Sequence, residues 1–215
     1  MTDINYLKKV EGWDMMNHWD EKFDEDEYIY GTEPNEWIKS IFHGKGRAKV
    51  ALLAEGEGRN AVYMAKLGHD VTAYDYSRVG LDKTRKLAQA AGVTVGTSLV
   101  DITEPDALPH GVYDVSINVF GHVAPEGKEE MIKNMVQIVK PGGHIAFELY
   151  SKRQIEFQTG GPKDIHMLYD VGDMRRELEK YDVEIMELKE VIVRRKEGRM
   201  HRGKSAVIQG YVKKE

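Results

Sequence analysis

The sequence predicts an α/β chain built on one mainly parallel sheet with helices on both faces. Three observations carry that expectation. Short apolar runs alternate with helix-period segments from about residue 50 to residue 150. The first apolar run empties into a tight Gly-x-Gly turn. Glycines or a proline stand where successive helices should stop. A length of 215 residues suits one domain with a full core, and an apolar share of 41% is that of a globular protein.

Residues 12–28 hold Trp13, Met15, Met16, Trp19, Phe23 and the acid run 24–27, which predicts a helix with aromatic contacts and a solvated face. Tyr30-Gly31-Thr32-Glu33-Pro34 reads as a turn. Pro34 then opens a helix at its first turn, with Trp37, Ile38, Ile41 and Phe42 on one face and Gly44 near its end. Residues 50–54 read as a buried parallel strand. Residues 59–66 are a helix closed by Gly68, 70–76 the second strand, and 79–91 a helix closed by Gly92. The third strand covers 95–102, with Asp101 at its end, and the fourth covers 113–120. A helix over 126–139 is stopped by Pro141-Gly142-Gly143, and 144–150 form the fifth strand. A short helix at 173–180 precedes two strands, 182–194 and 204–213, joined by a turn near Gly198. That last link is short, so one of the pair runs antiparallel.

Composition narrows the function classes. The formal charge of −5 argues against a general nucleic-acid binder, which needs a broad basic face. Without cysteine there is no disulfide, thiolate metal site or cysteine nucleophile. No apolar run is long enough to span a membrane, and Asp3, Lys8, Lys9 and Glu11 leave no apolar signal region. A cytoplasmic protein is expected.

Gly56-Glu57-Gly58-Arg59-Asn60-Ala61 fits the G-x-G-x-x-G/A turn of nicotinamide and flavin enzymes. It fits equally the glycine loop of S-adenosylmethionine (SAM) methyltransferases, and a tight turn without a ligand is the third reading. Gly56 and Gly58 let backbone approach a ligand where a side chain would collide. Asp75, seventeen residues past Gly58 and at a strand end, suits ribose hydroxyls. Electrostatics favour the methyltransferase reading. A dinucleotide sets an anionic pyrophosphate on the helix N-terminus, where Glu55 and Glu57 repel it. SAM has no phosphate and carries two cationic groups against one carboxylate.

Residues 50–60, Asp75, Asp101-Ile102, Tyr113-Asp114 and Lys140-Pro141-Gly142-Gly143 resemble, in that order, the successive motifs of class I SAM-dependent methyltransferases. The resemblance covers about residues 30–150. Trp19-Asp20 and Tyr30-Gly31-x-x-Pro34 are similar to the lid segment of the tellurite and thiopurine methyltransferase branch. His201-Arg202 resembles a pair in tellurite methyltransferases, and residues 158–163 resemble a loop in relatives of that branch. The chain departs from the pattern at Leu52, where the family keeps Asp, and at Ala54, where it keeps its first glycine.

The resemblance implies a single Rossmann-like domain over 1–215, with 1–44 as an N-terminal helical lid. Its seven-stranded sheet has the order 3-2-1-4-5-7-6, with the seventh strand antiparallel. SAM is the implied cofactor, S-adenosylhomocysteine the product, and no metal is required. Gly56 and Gly58 line the methionine half, with Glu55 or Glu57 holding the ammonium. Asp75 takes the ribose, while Asp101 and the Ile102 backbone take adenine. Asn60, Tyr76, Ser77, Asn118 and Val119 complete the cofactor's surroundings. Tyr30 contacts the sulfonium from the lid. His122 and His201 are candidate bases near neutral pH, and Arg202 is the candidate partner of acceptor oxygens. Thr159-Gly160-Gly161-Pro162 folds over the mouth of the site.

Arg194, Arg195, Lys196, Arg199, Arg202 and Lys204 form either a solvated hairpin or an attractor for an anionic substrate. The implied reaction is methyl transfer to a small soft nucleophile such as tellurite, selenite or a thiol. An oxygen or nitrogen of a small metabolite is the second reading, and a non-catalytic SAM-binding sensor the third. Neither a nucleic acid nor a membrane is an expected partner, and the chain is expected as a monomer or homodimer.

Overall fold

In the computed structural model, which describes residues 17–44 and 46–215, the apolar run before the glycine turn forms β1 (Lys49–Leu53). Val50, Ala51, Leu52 and Leu53 are buried, as befits a strand covered on both faces. β2 (Asp70–Asp75) and β4 (Tyr113–Val119) flank it in parallel. β3 (Gly96–Leu99) and β5 (Val139–Tyr150) extend the sheet outward, also in parallel. β6 (Val183–Glu197) and β7 (His201–Lys214) form the closing hairpin, and β7 pairs antiparallel with both β5 and β6. The order is 3-2-1-4-5-7-6, as expected.

Six α-helices are described: α1 (His18–Phe23), α2 (Glu36–Phe42), α3 (Arg59–Lys66), α4 (Arg78–Ala90), α5 (Lys128–Gln137) and α6 (Val171–Leu178). Ile38 and Phe42 of α2, Met64 of α3 and Leu81 of α4 pack with Val50 and Leu52 on one face. Met131 and Met135 of α5 and Met174 and Leu178 of α6 pack with Leu53, Phe147 and Leu149 on the other. Each face removes several large apolar side chains from water, at about 1.5–3 kcal/mol apiece.

Several elements depart from the expected bounds. α2 starts at Glu36, because the Asn35 side chain accepts from Trp37 N and Ile38 N and caps the helix. Pro34 therefore precedes the cap. β5 starts at Val139 and carries Pro141-Gly142-Gly143 within it, where the register against β4 shifts. A proline that cannot donate is tolerated at such an irregularity. β3 stops at Leu99, and Asp101 Oδ1 accepts from Thr103 N and Oγ1, turning the chain away. The hairpin strands are longer than expected, with only Gly198, Arg199 and Met200 between them. Of the helix expected over 12–28, α1 is the described part. Trp13, Met15 and Met16 lie outside the described residues, as do Asp3, Lys8, Lys9 and Glu11. Among the described residues, no helix is long and apolar enough to cross a membrane.

Candidate functional site

The topology brings the carboxyl ends of β1 to β5 to one edge, where open α/β sheets place ligands. The chain leaves β1 through Ala54, Gly56 and Gly58, all at positive φ (50°, 65° and 91°). A Cβ on Gly58 would sit 2.6 Å from Thr84 Oγ1, so Gly58 lets the loop pack on α4. A Cβ on Gly56 would sit 3.1 Å from the Phe23 ring, so Gly56 lets α1 lie on the loop.

Asp75 ends β2 beneath that loop. Its Oδ2 accepts from Gly56 N at 2.8 Å and its Oδ1 from Ser77 N at 2.7 Å. Burial pushes its carboxyl up to about 6, against the pull of those donors. Ser77 Oγ donates to Asp20 of α1 at 2.6 Å, and Tyr76 O accepts from Asn17 Nδ2 at 3.0 Å. Residues 17–35, the strap, are thereby fastened beside Asp75.

The two acids of the loop are committed within the chain. Glu55 Oε1 accepts from Asn60 N at 2.9 Å and Ala61 N at 2.8 Å, capping α3, and burial pushes its carboxyl up to about 7. Glu57 lies 2.6 Å from Lys83 Nζ, and its Oε2 accepts from Tyr30 N at 3.3 Å. Two unpaired acids repelling a phosphate is therefore not what the loop presents, and that electrostatic argument against a dinucleotide lapses. Asn60 Oδ1 accepts from Asn35 N at 2.8 Å, a second tie to the strap.

Lys83 was missed by sequence reasoning. It is buried in α4, and its Nζ donates to Phe23 O at 3.2 Å, Glu25 O at 2.8 Å and Glu27 O at 2.7 Å. One ammonium thus gathers three strap carbonyls and a loop carboxylate. A lysine inside a helix gives no local sign of such partners.

Past β3, Asp101 turns the chain, and the buried Ile102 passes its carbonyl to Asn134 Nδ2 at 3.0 Å. Asn118 is buried, with Oδ1 accepting from Gly121 N at 2.9 Å, and Val119 ends β4 beside it. Asp75, Asp101, Ile102, Asn118 and Val119 so line one edge with the glycine loop.

Beyond β4 lies an aromatic cluster. His122 Nε2 accepts from Tyr150 N at 2.9 Å, which leaves Nδ1 to donate to Phe120 O at 3.0 Å. Burial pushes the imidazole down to about 4. With both nitrogens engaged, His122 clasps β4 to β5 and has no lone pair for a substrate proton in this arrangement. His201 is 5% exposed, its ring 4.5 Å from Tyr30, 4.7 Å from Phe120 and 5.7 Å from Tyr150. Burial also pushes it down to about 4, and its Nδ1 makes no hydrogen bond. The Tyr30 hydroxyl accepts from Lys22 Nζ at 2.7 Å. Arg202 stands apart from His201. Strand alternation puts it on the other face of the hairpin, exposed, with Nε donating to Gly198 O at 2.7 Å.

Under the cluster runs a buried ion network. Glu148 Oε1 accepts from Asn35 Nδ2 at 2.6 Å and Arg195 Nη2 at 2.5 Å, and its Oε2 from Gln209 Nε2 at 2.7 Å. Glu197 joins Arg195 Nη1 at 2.7 Å and Arg59 Nη1 at 2.6 Å. Burial alone raises the Glu197 carboxyl, but His201, Arg59 and Arg195 outweigh it and hold the group at about 2. The basic cluster therefore divides. Arg195 is interior, Arg199 pairs with Glu25, and Arg194, Lys196, Arg202 and Lys204 face outward.

The loop after β5 covers the cluster. Buried Gln154 donates through Nε2 to Thr159 Oγ1 and Gly160 O, each at 3.1 Å. A Cβ on Gly160 would lie 3.2 Å from the Tyr150 hydroxyl, and one on Gly161 2.7 Å from the Tyr150 ring. A groove of about 450 Å³ runs between Tyr30–Trp37 of the strap and α2 and Val193–Gly198 of the hairpin. A second, of about 370 Å³, opens at the far end of the sheet by Asp114 and Lys140, away from these residues. Among the described residues no group of three His, Cys, Asp or Glu is placed to hold a metal ion.

Residues 50–143 match the family model described as a methyltransferase domain. The chain is 30% identical over 96 residues to the probable S-adenosyl-L-methionine-dependent methyltransferase TehB of Haemophilus influenzae, covering 45% of this chain and 34% of that protein. It is 25% identical over 136 residues to the tRNA 5-carboxymethoxyuridine methyltransferase of Escherichia coli, covering 57% and 52%. The chain thus spans about a third to a half of these curated relatives. The crystal structure of TehB from Haemophilus influenzae has a TM-score of 0.67, with 18% identity, 93% of this chain and 67% of that one.

Proposed function

We propose that this chain, a class I methyltransferase by its fold and by the domain matched over residues 50–143, transfers a methyl group from SAM to a small acceptor. The observation that carries the reading is the joint placement of Gly56, Gly58, Asp75, Asp101 and Ile102 at the carboxyl edge of the sheet, with the strap packed on Gly56 and fastened beside Asp75. The residues fit the cofactor. Gly56 and Gly58, both at positive φ, let the loop turn tightly at the end of β1, and Asp75 at the end of β2 is the acceptor for ribose hydroxyls. Asp101 and the Ile102 N–H suit adenine, while Asn60, Tyr76, Ser77, Asn118 and Val119 frame it. When bound, SAM supplies a methyl group already activated on a sulfonium.

The protein's part is alignment and exclusion of water. The strap supplies Trp19, Phe23 and Tyr30 as walls over the loop. His201 is neutral at pH 7, its Nδ1 is 3.9 Å from Glu197 Oε2 and neither ring nitrogen is clasped by backbone as in His122, so it is the better-placed of the two histidines to relay a proton from an acceptor. The aromatic surroundings of His201 suit a soft or apolar nucleophile such as a thiol. The likeness to TehB supports the same branch.

The test is methyl transfer from labelled SAM across tellurite, selenite, thiols, phenols and total RNA. Label in a small acceptor is the expected outcome. Label only in RNA overturns the small-acceptor reading, and label nowhere, with SAM bound, favours a sensor. Calorimetry with SAM, S-adenosylhomocysteine and NAD tests the cofactor separately. Micromolar binding of the first two is expected, and tight NAD binding alone sinks the methyltransferase reading.

A further inference from the structure

The sheet ends in two edges of unlike length. β3 closes one side with four residues, too short to offer much to another strand. β6 closes the other with fifteen, against a usual strand of about 5–6. β6 pairs with β7 alone, and among the described residues nothing else bonds to the backbone of residues 187–197. The register shift between Ile185 and Glu187 breaks the edge at Met186, which leaves 187–197 as a regular run of eleven residues. No proline interrupts it, and Ile192 stands 43% exposed near its middle. Such an edge is a ready template for a further strand.

The residues along the run name the partner. Glu190, Ile192 and Arg194 share one face, and Val191 and Val193 the other. A strand residue turns its N–H and C=O to the same side, so a second β6 can pair antiparallel only with the two-fold axis beside a residue, never between two. Beside Ile192, that axis sets Ile192 against its own copy. It sets Glu190 opposite Arg194 and Val191 opposite Val193, each twice. Opposite charges and β-branched pairs directly across a ladder stabilise it. Arg194 is exposed and in no ion pair among the described residues, while Glu190 Oε1 holds Ser151 Oγ at 3.3 Å and lies 4.0 Å from Arg153 Nη1. The neighbouring axes fit worse. Beside Glu190 an acid meets its own copy, beside Val191 Glu190 meets Ile192, and beside Val193 Arg194 meets Ile192. Two like-charged pairs remain in the favoured register, Lys189 with Arg195 and Glu187 with Glu197. All four are matched within the chain, Lys189 to Glu187 at 3.1 Å, Arg195 to Glu148 and Glu197, and Glu197 to Arg59.

We propose that the free edge of β6 is the docking site of a second copy of this chain, paired antiparallel about a two-fold axis beside Ile192, so that two seven-stranded sheets join into one. Alternate residues of the run face outward, and the two copies exchange about ten to twelve N–H···O bonds. Eleven residues a side is below the 20–30 of an ordinary stable interface, so the dimer dissociates at roughly tens of micromolar. The inference goes beyond the methyltransferase reading and does not rest on it.

The experiment is sedimentation velocity of the full chain from about 5 to about 300 µM, a range that brackets the expected dissociation constant. The comparison is Arg194→Glu, which sets acid opposite acid twice and should weaken the dimer at least tenfold. A melting curve confirms that the variant is folded. The chain has no cysteine, so single cysteines report the register. Across the axis the two Cα atoms of residue 192 lie about 4.5–5.5 Å apart, within the span of a disulfide. Ile192→Cys should therefore oxidise to a covalent dimer on a non-reducing gel. Lys196→Cys should not, because its two copies lie about 27 Å apart along the ladder. A monomer at every concentration overturns the proposal and leaves the edge to a foreign strand. A dimer that Arg194→Glu leaves unchanged overturns it too, as does a disulfide at residue 196 in place of 192. The assays contain no SAM, so their failure is separate from failure of the methyltransferase reading.

Discussion

At the glycine loop the buried carboxyls of Glu55 and Asp75 are satisfied by backbone N–H groups. At the hairpin the carboxylates of Glu148 and Glu197 are satisfied by arginines. The consequence shows in proton affinity. Burial leaves Glu55 at about 7 and Asp75 at about 6, whereas Glu197 stays at about 2. Partial charges on amides offset burial only in part, and full charges offset it outright. The loop is thus the adjustable half of the site, able to exchange internal donors for those of a ligand. The hairpin half is a fixed frame.

The sharpest way to break this contrast is Arg195→Met, which strips the cation from Glu148 and Glu197 together. Removing one partner of a buried pair costs about 3–5 kcal/mol, a fall in melting temperature of roughly 10 °C for a chain of this size. A melting temperature within 2 °C of the parent would deny the frame its role.

The next largest effect is in the pH dependence. His201 goes from 6.5 to about 4 on folding, so its contribution is complete above 6.5 and lost as pH falls towards 4. The displacement amounts to about 3 kcal/mol. The loop acids act with the opposite sign. Their carboxyls are raised, so their contribution is present below about 4 and lost as pH rises through 6 to 7. His201→Phe should therefore gain about 2–3 kcal/mol relative to the parent between pH 6.5 and pH 4.5, read from urea midpoints. A variant whose stability tracks the parent at both pH values shows that His201 is not buried neutral.

Asp75→Ala tests the loop half. Hydrogen bonds to a charged group are worth about 1.5–3 kcal/mol, so S-adenosylhomocysteine affinity should fall roughly tenfold or more by calorimetry. Gly56→Val should remove binding by another route, through a strained positive φ and a collision with Phe23. If both variants are folded and bind as the parent does, the cofactor lies elsewhere.

The smallest effect concerns the strap. SAM should slow proteolysis within residues 17–35, and Lys83→Met should speed it in the absence of ligand by releasing three carbonyls. Cleavage rates indifferent to both would leave the strap a permanent part of the fold.

Where a signal was local, the sequence sufficed. Arg59–Lys66 is helical over the expected residues because a glycine loop starts it and Gly68 follows it. Apolar runs separated by helices and closed by a short-linked pair announced a mainly parallel sheet with an antiparallel end, while the strand order came with the family resemblance. Where the deciding partner is distant, the sequence was silent or misleading. Glu55 and Glu57 read as loose acids, because the N–H groups of α3 and the ammonium of Lys83 are fixed only by folding. His122 read equally as a base or as a hydrogen-bonding clasp, and only the folded chain shows Tyr150 N, twenty-eight residues away, taking its lone pair. Six basic residues read as one cluster, although strand alternation and tertiary pairing send them to three different surroundings.

The meeting of strap and hairpin has a consequence for synthesis of the chain. Arg199 N donates to Ile29 O at 3.0 Å, and Gly198 packs so closely on Tyr30 and Gly31 that a side chain there would overlap their backbone. Residue 30 reaches its place only against residue 198, a contact of high sequence separation whose loop entropy must be met before it contributes. On the ribosome, the strap has left the exit tunnel long before its partner is translated. Each molecule must therefore hold Phe23, Ile29 and Tyr30 without their final neighbours for most of its elongation, when exposed apolar surface invites chaperones and aggregation alike. The acid run Asp24-Glu25-Asp26-Glu27, between Phe23 and Ile29, gives that waiting segment the charge to stay in solution.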